Sequence, residues 1–143
     1  MTINQISVFL ENRVGQLAQV CRTLADNGVS LVTLSLAETA DFGIARLIVD
    51  DTARAEDALR RNKYIVKATP VVAVAVPDRA GGMAEVVSTL SAKGCDIEYS
   101  YAFGHGDRAV LVFRFKDADK ASAVIAEAGF STLDEKLIQN AAK

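Results

Sequence analysis

A chain of 143 residues, 50% of them hydrophobic and 24% charged, has the balance of a folded globular protein and excludes bulk disorder. A formal net charge of −2, from 16 basic and 18 acidic residues, with no tryptophan and only 6% aromatics, excludes nucleic acid as the main partner. No segment reaches the roughly 18 apolar residues of a membrane span, and the start, Met1-Thr2-Ile3-Asn4-Gln5, lacks the basic opening of a signal peptide, so the expectation is a cytoplasmic protein with no membrane partner.

The first predicted element is a strand. Ile6, Val8 and Leu10 alternate with other residues, as on a half-buried strand. The polar turn Asn12-Arg13-Val14-Gly15 follows, and then Leu17, Val20, Cys21 and Leu24 fall at helical spacing. Gly28 stands where a helix-terminating glycine belongs. A second strand is expected over Ser30–Glu38, a hairpin turn at Asp41-Phe42-Gly43, and a third strand over Ile44–Val49. Asp50-Asp51 reads as the cap of a second helix near Thr52–Asn62, because neighbouring residues on a strand point to opposite faces and make a poor carboxylate pair. A fourth strand begins near Tyr64.

The same order then recurs at a gapless offset of 66 residues, the distance from Asn12 to Asp78. Val72, Val74 and Val76 repeat the first strand, Asp78-Arg79-Ala80-Gly81 the turn, and Met83, Val86, Val87 and Leu90 the helix. Gly94 repeats the terminating glycine. Strands over Asp96–Phe103 and Ala109–Phe115 flank the turn Gly104-His105-Gly106-Asp107; a helix near Ala118–Ala128 and a strand from Phe130 complete the copy. The order β-α-β-β-α-β, twice, is an α+β fold: two tandem ferredoxin-like units, residues 1–68 and 69–143, each an antiparallel sheet with its helices on one face. Strand residues of both parities are apolar, as in Val71 to Val76 and Val110 to Phe113. The second sheet face is therefore expected to pack on the sister copy or on another subunit.

The turns at Asn12 and Asp78 carry two readings. Their side chains can cap the following helix. Alternatively, helix-start N–H groups and a close-approach glycine can hold the carboxylate of an amino acid, with Asn12 or Asp78 taking the ammonium. Other candidates read as structural. His105, the single histidine, sits in a hairpin turn without metal-ligand spacing. Cys21 and Cys95 read as free buried thiols. Tyr99, Tyr101 and Phe103 share one strand face and fit core or interface packing, with a pocket lining as the alternative. Arg46 and Arg114 fall on the third strands and fit an interface rim, with a ligand anchor as the alternative. No nucleophile motif, phosphate loop or cofactor motif occurs, so neither an enzyme nor a cofactor or metal site is expected.

Asp78-Arg79-Ala80-Gly81-Gly82-Met83-Ala84 and Gly94-Cys95-Asp96-Ile97 resemble the ACT-domain family of small regulatory modules, over nearly the whole chain and in both copies. The likeness is greatest to stand-alone proteins made of two ACT units. The resemblance implies βαββαβ units that pair, commonly as dimers, with an amino acid bound between units near the first turn and the facing second strand. Carried onto this chain it implies Asn12, Val14, Gly15, Gln16 and Leu17 in copy one, and Asp78, Ala80, Gly81, Gly82 and Met83 in copy two. Gln16 against Gly82 suggests that the second turn is the more open. The expected function is sensing of a small amino acid at an ACT–ACT interface, acting in trans on a metabolic enzyme. The alternatives are a ligand-free subunit that dimerises and holds a partner enzyme, and a small enzyme or metal carrier on the same fold.

Overall fold

The computed structural model describes residues 2–140. Seven strands and five helices follow one another: β1 (Ile3–Glu11), α1 (Gln16–Asp26), β2 (Leu31–Glu38), β3 (Phe42–Val49), α2 (Thr52–Arg61), β4 (Ile65–Pro77), α3 (Gly82–Ala92), β5 (Ile97–His105), β6 (Arg108–Phe115), α4 (Ala118–Glu127), β7 (Ser131–Leu133) and α5 (Glu135–Asn140). The tandem α+β reading holds, with all assigned registers antiparallel. Among the described residues no helix is long and apolar enough to cross a membrane.

Two compact units divide the chain. Among the described residues, one holds 4–69 and 138–140; the other holds 70–137 and 2–3. In the first the strands run β2-β3-β1, with β4 bordering β1; in the second they run β5-β6-β4, with β7 pairing β4. The sequence reads two strands on either side of the repeat boundary, one closing copy one and one opening copy two. They are one continuous strand of 13 residues, Ile65–Pro77. The short helix α5 was not expected from the pattern.

Each unit builds its core from the same positions. Ile6, Val8 and Leu10 of β1 and Ala45, Leu47 and Val49 of β3 meet Val20 and Leu24 of α1 and Ala55 and Leu59 of α2. Val72, Val74, Val76, Leu111, Phe113 and Phe115 meet Val86, Leu90, Ala121 and Ile125 in the second unit. Phe113 and Phe115 stack there with centroids 5.5 Å apart. Fully burying one such side chain stabilises by roughly 1.5–3 kcal/mol. Asp51 and Asp117 cap α2 and α4, accepting from the N–H groups of Arg54 and Lys120, each at 3.1 Å. This is the role read for Asp51 in the sequence.

The sheet face away from the helices is buried as well. Gln5, Ser7 and Ile48 are buried on it in the first unit, and Val71, Ala73, Ala75, Val110 and Val112 in the second. Tyr99, Tyr101 and Phe103 lie opposite Arg114, Val112 and Val110 on β6 and are half-buried. A register shift between Ile97 and Tyr99 turns this stripe away from the helix side, and the same shift recurs between Leu31 and Thr33. Arg114 donates to the carbonyl of Pro70 at 3.2 Å. The cysteines are free, and half-buried rather than buried.

Candidate functional site

The β1–α1 turn has the same backbone wiring in both copies. Asn12 N–H donates to Asp41 O at 3.0 Å and Asp78 N–H to Asp107 O at 3.1 Å, tying each turn to the tip of its unit's hairpin. Arg13 and Arg79 N–H donate to Glu11 O and Pro77 O, each at 2.9 Å. The chain then reaches the helix through Gly15 and Gly81, at φ +92° and +88°. A Cβ is strained in that left-handed region, so the turn depends on glycine.

These glycines, not Asn12 and Asp78, are the residues preceding α1 and α3, and neither helix has a side-chain cap. The capping reading is therefore corrected. The turn holds Asn12 against the hairpin, where its amide Nδ2 donates to Thr39 O and Ala40 O, each at 3.3 Å. The engaged Nδ2 leaves Oδ1 as the acceptor. The Asp78 carboxylate has no donor to offer its hairpin, and that hairpin places Gly106 at φ +65° where the first has Ala40.

In the first unit a cleft of about 60 Å³ opens beside the turn, lined by Asn12, Arg13, Gln16 and Leu17, by Leu10 and Glu11 of β1, by Leu36 and Glu38 of β2, and by Gly43. Asn12, Gln16 and Leu17 thus meet the facing second strand. Val14 does not line the cleft and is 100% exposed at the tip of the turn. Glu38, Leu36 and Gly43 were not singled out in the sequence; the pairing of β2 with β3 brings them there. Glu38 adds a carboxylate to a cleft that begins at uncapped helix N–H groups, a pairing of opposite charges suited to a zwitterion.

In the second unit Asp78, Ala80, Gly81 and Met83 are exposed and Gly82 is buried. Gly82 does not open the turn. A Cβ there would stand 2.8 Å from the Pro77 carbonyl oxygen, so the missing side chain is taken up by close packing of backbone on backbone. Arg79 is held by Glu85 at 3.1 Å. Among the described residues no group of three or more His, Cys, Asp or Glu side chains could hold a metal.

A family model described as an ACT domain pair matches residues 1–142. Among solved structures, a Bacteroides thetaiotaomicron protein is 39% identical, with a TM-score of 0.93 over 97% of this chain and 96% of that one. The ligand-free regulatory subunit of aspartate kinase from Thermus thermophilus is similar in fold at 16% identity, with a TM-score of 0.64 over 88% of this chain and 91% of its own. The regulatory subunit of aspartate kinase from Thermus flavus is likewise similar in fold, at 17% identity and a TM-score of 0.61 over 87% and 91%. A comparison with curated proteins finds no match.

Proposed function

The chain belongs to the ACT-domain-pair family, and from that premise we propose that it is a regulatory protein that binds an amino acid at the first turn and transmits its occupancy to a metabolic enzyme in trans. The observation that carries this reading is the cleft between the uncapped start of α1 and strand β2. A ligand α-carboxylate fits the N–H groups of the α1 start, and its ammonium fits Glu38 and Asn12 Oδ1. A space of about 60 Å³ takes several water-sized groups and hence the head of an amino acid rather than a large side chain. The site is then completed by a second copy of the chain in a homodimer. Ligand stabilises one packing over another, with a coupling of roughly 1–3 kcal/mol typical of such linkage.

Calorimetry against the twenty amino acids tests the reading. Binding by the native chain that is lost in Glu38→Gln supports it; silence across the set, with folded protein, refutes it. In the aspartate kinase relatives a ligand-free regulatory subunit has this fold, which supports regulation of a separate enzyme.

A second reading, a subunit that holds its partner without any ligand, is favoured by Val14, fully exposed at the turn tip, and by Leu36 at 48% exposure. Exposed apolar side chains suit a protein interface. Capture of the same enzyme with and without amino acids separates the two.

A further inference from the structure

The two copies share the backbone hydrogen bonds of their first turns, yet besides the Asn12–Asp78 difference they differ at one further place. In the first unit a cavity of about 390 Å³ lies where the end of β1, the start of β3, the first turn of α1 and the segment between α2 and β4 meet. Its apolar walls include Phe9, Phe42 and Ile65, exposed by 43%, 63% and 70%. Copy two has Ala75, Arg108 and Ser131 at the corresponding positions. Three large apolar side chains lining one hollow are a concentration that a soluble surface does not keep without use.

The polar groups of the same cavity favour an anion. Arg13 is engaged by Glu11 at 3.0 Å. Lys63 forms no ion pair among the described residues, so its ammonium is the uncommitted charge. Lys63 also holds a left-handed backbone, φ +69°, alone among the described non-glycine residues. Its counterpart, Gly129, has φ +79°. Copy one thus keeps a lysine where the backbone favours glycine, and where copy two has glycine. The helix end sets that backbone in both copies: Tyr64 N–H donates to Leu59 O as Phe130 N–H does to Ile125 O. Other surface hollows lack this combination; the one along α2 is lined by Glu56, Asp57, Arg60 and Arg61, whose charges already pair with one another.

We propose that this cavity is a second ligand site, confined to the first unit, which takes an organic carboxylate with an aromatic or branched apolar body. The apolar body lies against Phe9, Phe42 and Ile65, and the carboxylate meets Lys63. The hollow shares Leu10, Glu11, Arg13 and Gln16 with the first-turn cleft, but the proposal does not depend on the amino-acid reading, because a carboxylate without an amine suffices.

The test uses 3-phenylpropionate, 4-methylpentanoate and the neutral 3-phenylpropionamide as probes on the full chain, with calorimetry and amide chemical shifts. Phe42→Arg and Lys63→Gly install copy two's own residues at exposed positions. The expected result is binding of both carboxylates, shifts centred on Phe9, Phe42 and Ile65, and affinity lower by about tenfold in each variant and for the amide. Failure of both carboxylates to bind overturns the proposal. So does binding unchanged in both variants, or shifts centred on Leu36 and Glu38. The last result would place the probes in the first-turn cleft, and the amino-acid series with Glu38→Gln reports on that cleft separately.

Discussion

Gly82 packs so closely on Pro77 that a Cβ at position 82 would sit 2.8 Å from the Pro77 carbonyl oxygen. Backbone cannot yield there as a flexible side-chain end would. Gly82→Ala is therefore expected to destabilise the second unit by about 1–3 kcal/mol, although alanine is the better helix former. Urea unfolding measures it, and a stabilised variant would show that the helix start is free to shift.

Asn12 and Asp78 occupy equivalent turns but do different things. Asn12→Asp removes two donated hydrogen bonds and sets a carboxylate against the Thr39 and Ala40 carbonyls. A loss of about 0.5–1.5 kcal/mol is expected, with faster amide exchange in the β2–β3 hairpin. Asp78→Asn breaks no such bond and is expected to stay within about 0.5 kcal/mol of the native chain. Equal effects from the two substitutions would contradict this assignment.

Asp51 and Asp117 hold the same cap in both copies, at the same 3.1 Å. Each mutation to alanine is expected to cost about 1 kcal/mol. The Asp51–Arg54 contact at 3.6 Å is exposed and adds little to that. Since the caps lie in different units, the double variant should lose the sum to within roughly 0.5 kcal/mol. Denaturant titration of the three variants checks this.

Lys63→Gly relieves a left-handed residue, whose strain is about 1 kcal/mol. The expected outcome is a rise in thermal midpoint together with weaker binding of 3-phenylpropionate. Gain of stability with loss of function in one substitution is the mark of a residue kept for use. A lowered midpoint would show that the lysine supports the fold.

The order of elements from the first strand to the second helix of each copy, the core stripes and the cap at Asp51 could be read from apolar spacing and from the 66-residue repeat, because each depends on neighbours along the chain. What escaped the sequence depends on partners far along it. Glu38 and Leu36 reach the first turn only through the register of β2 on β3, and that register contains a shift between Leu31 and Thr33 that no periodicity announces. The capping reading of Asn12 fails for a similar reason. Asparagine before a helix suggests a cap, but its acceptors of choice here are carbonyls 27 and 28 residues away. Gly82 looked like open space because a missing side chain says nothing about whether backbone has moved in to fill it.

The unbroken strand Ile65–Pro77 also bears on the history of this chain. The division between the two units, between Thr69 and Pro70, lies inside a strand rather than in a tether. A crossover or excision at that point severs an ordered ladder, so neither half is released as a ready-made module.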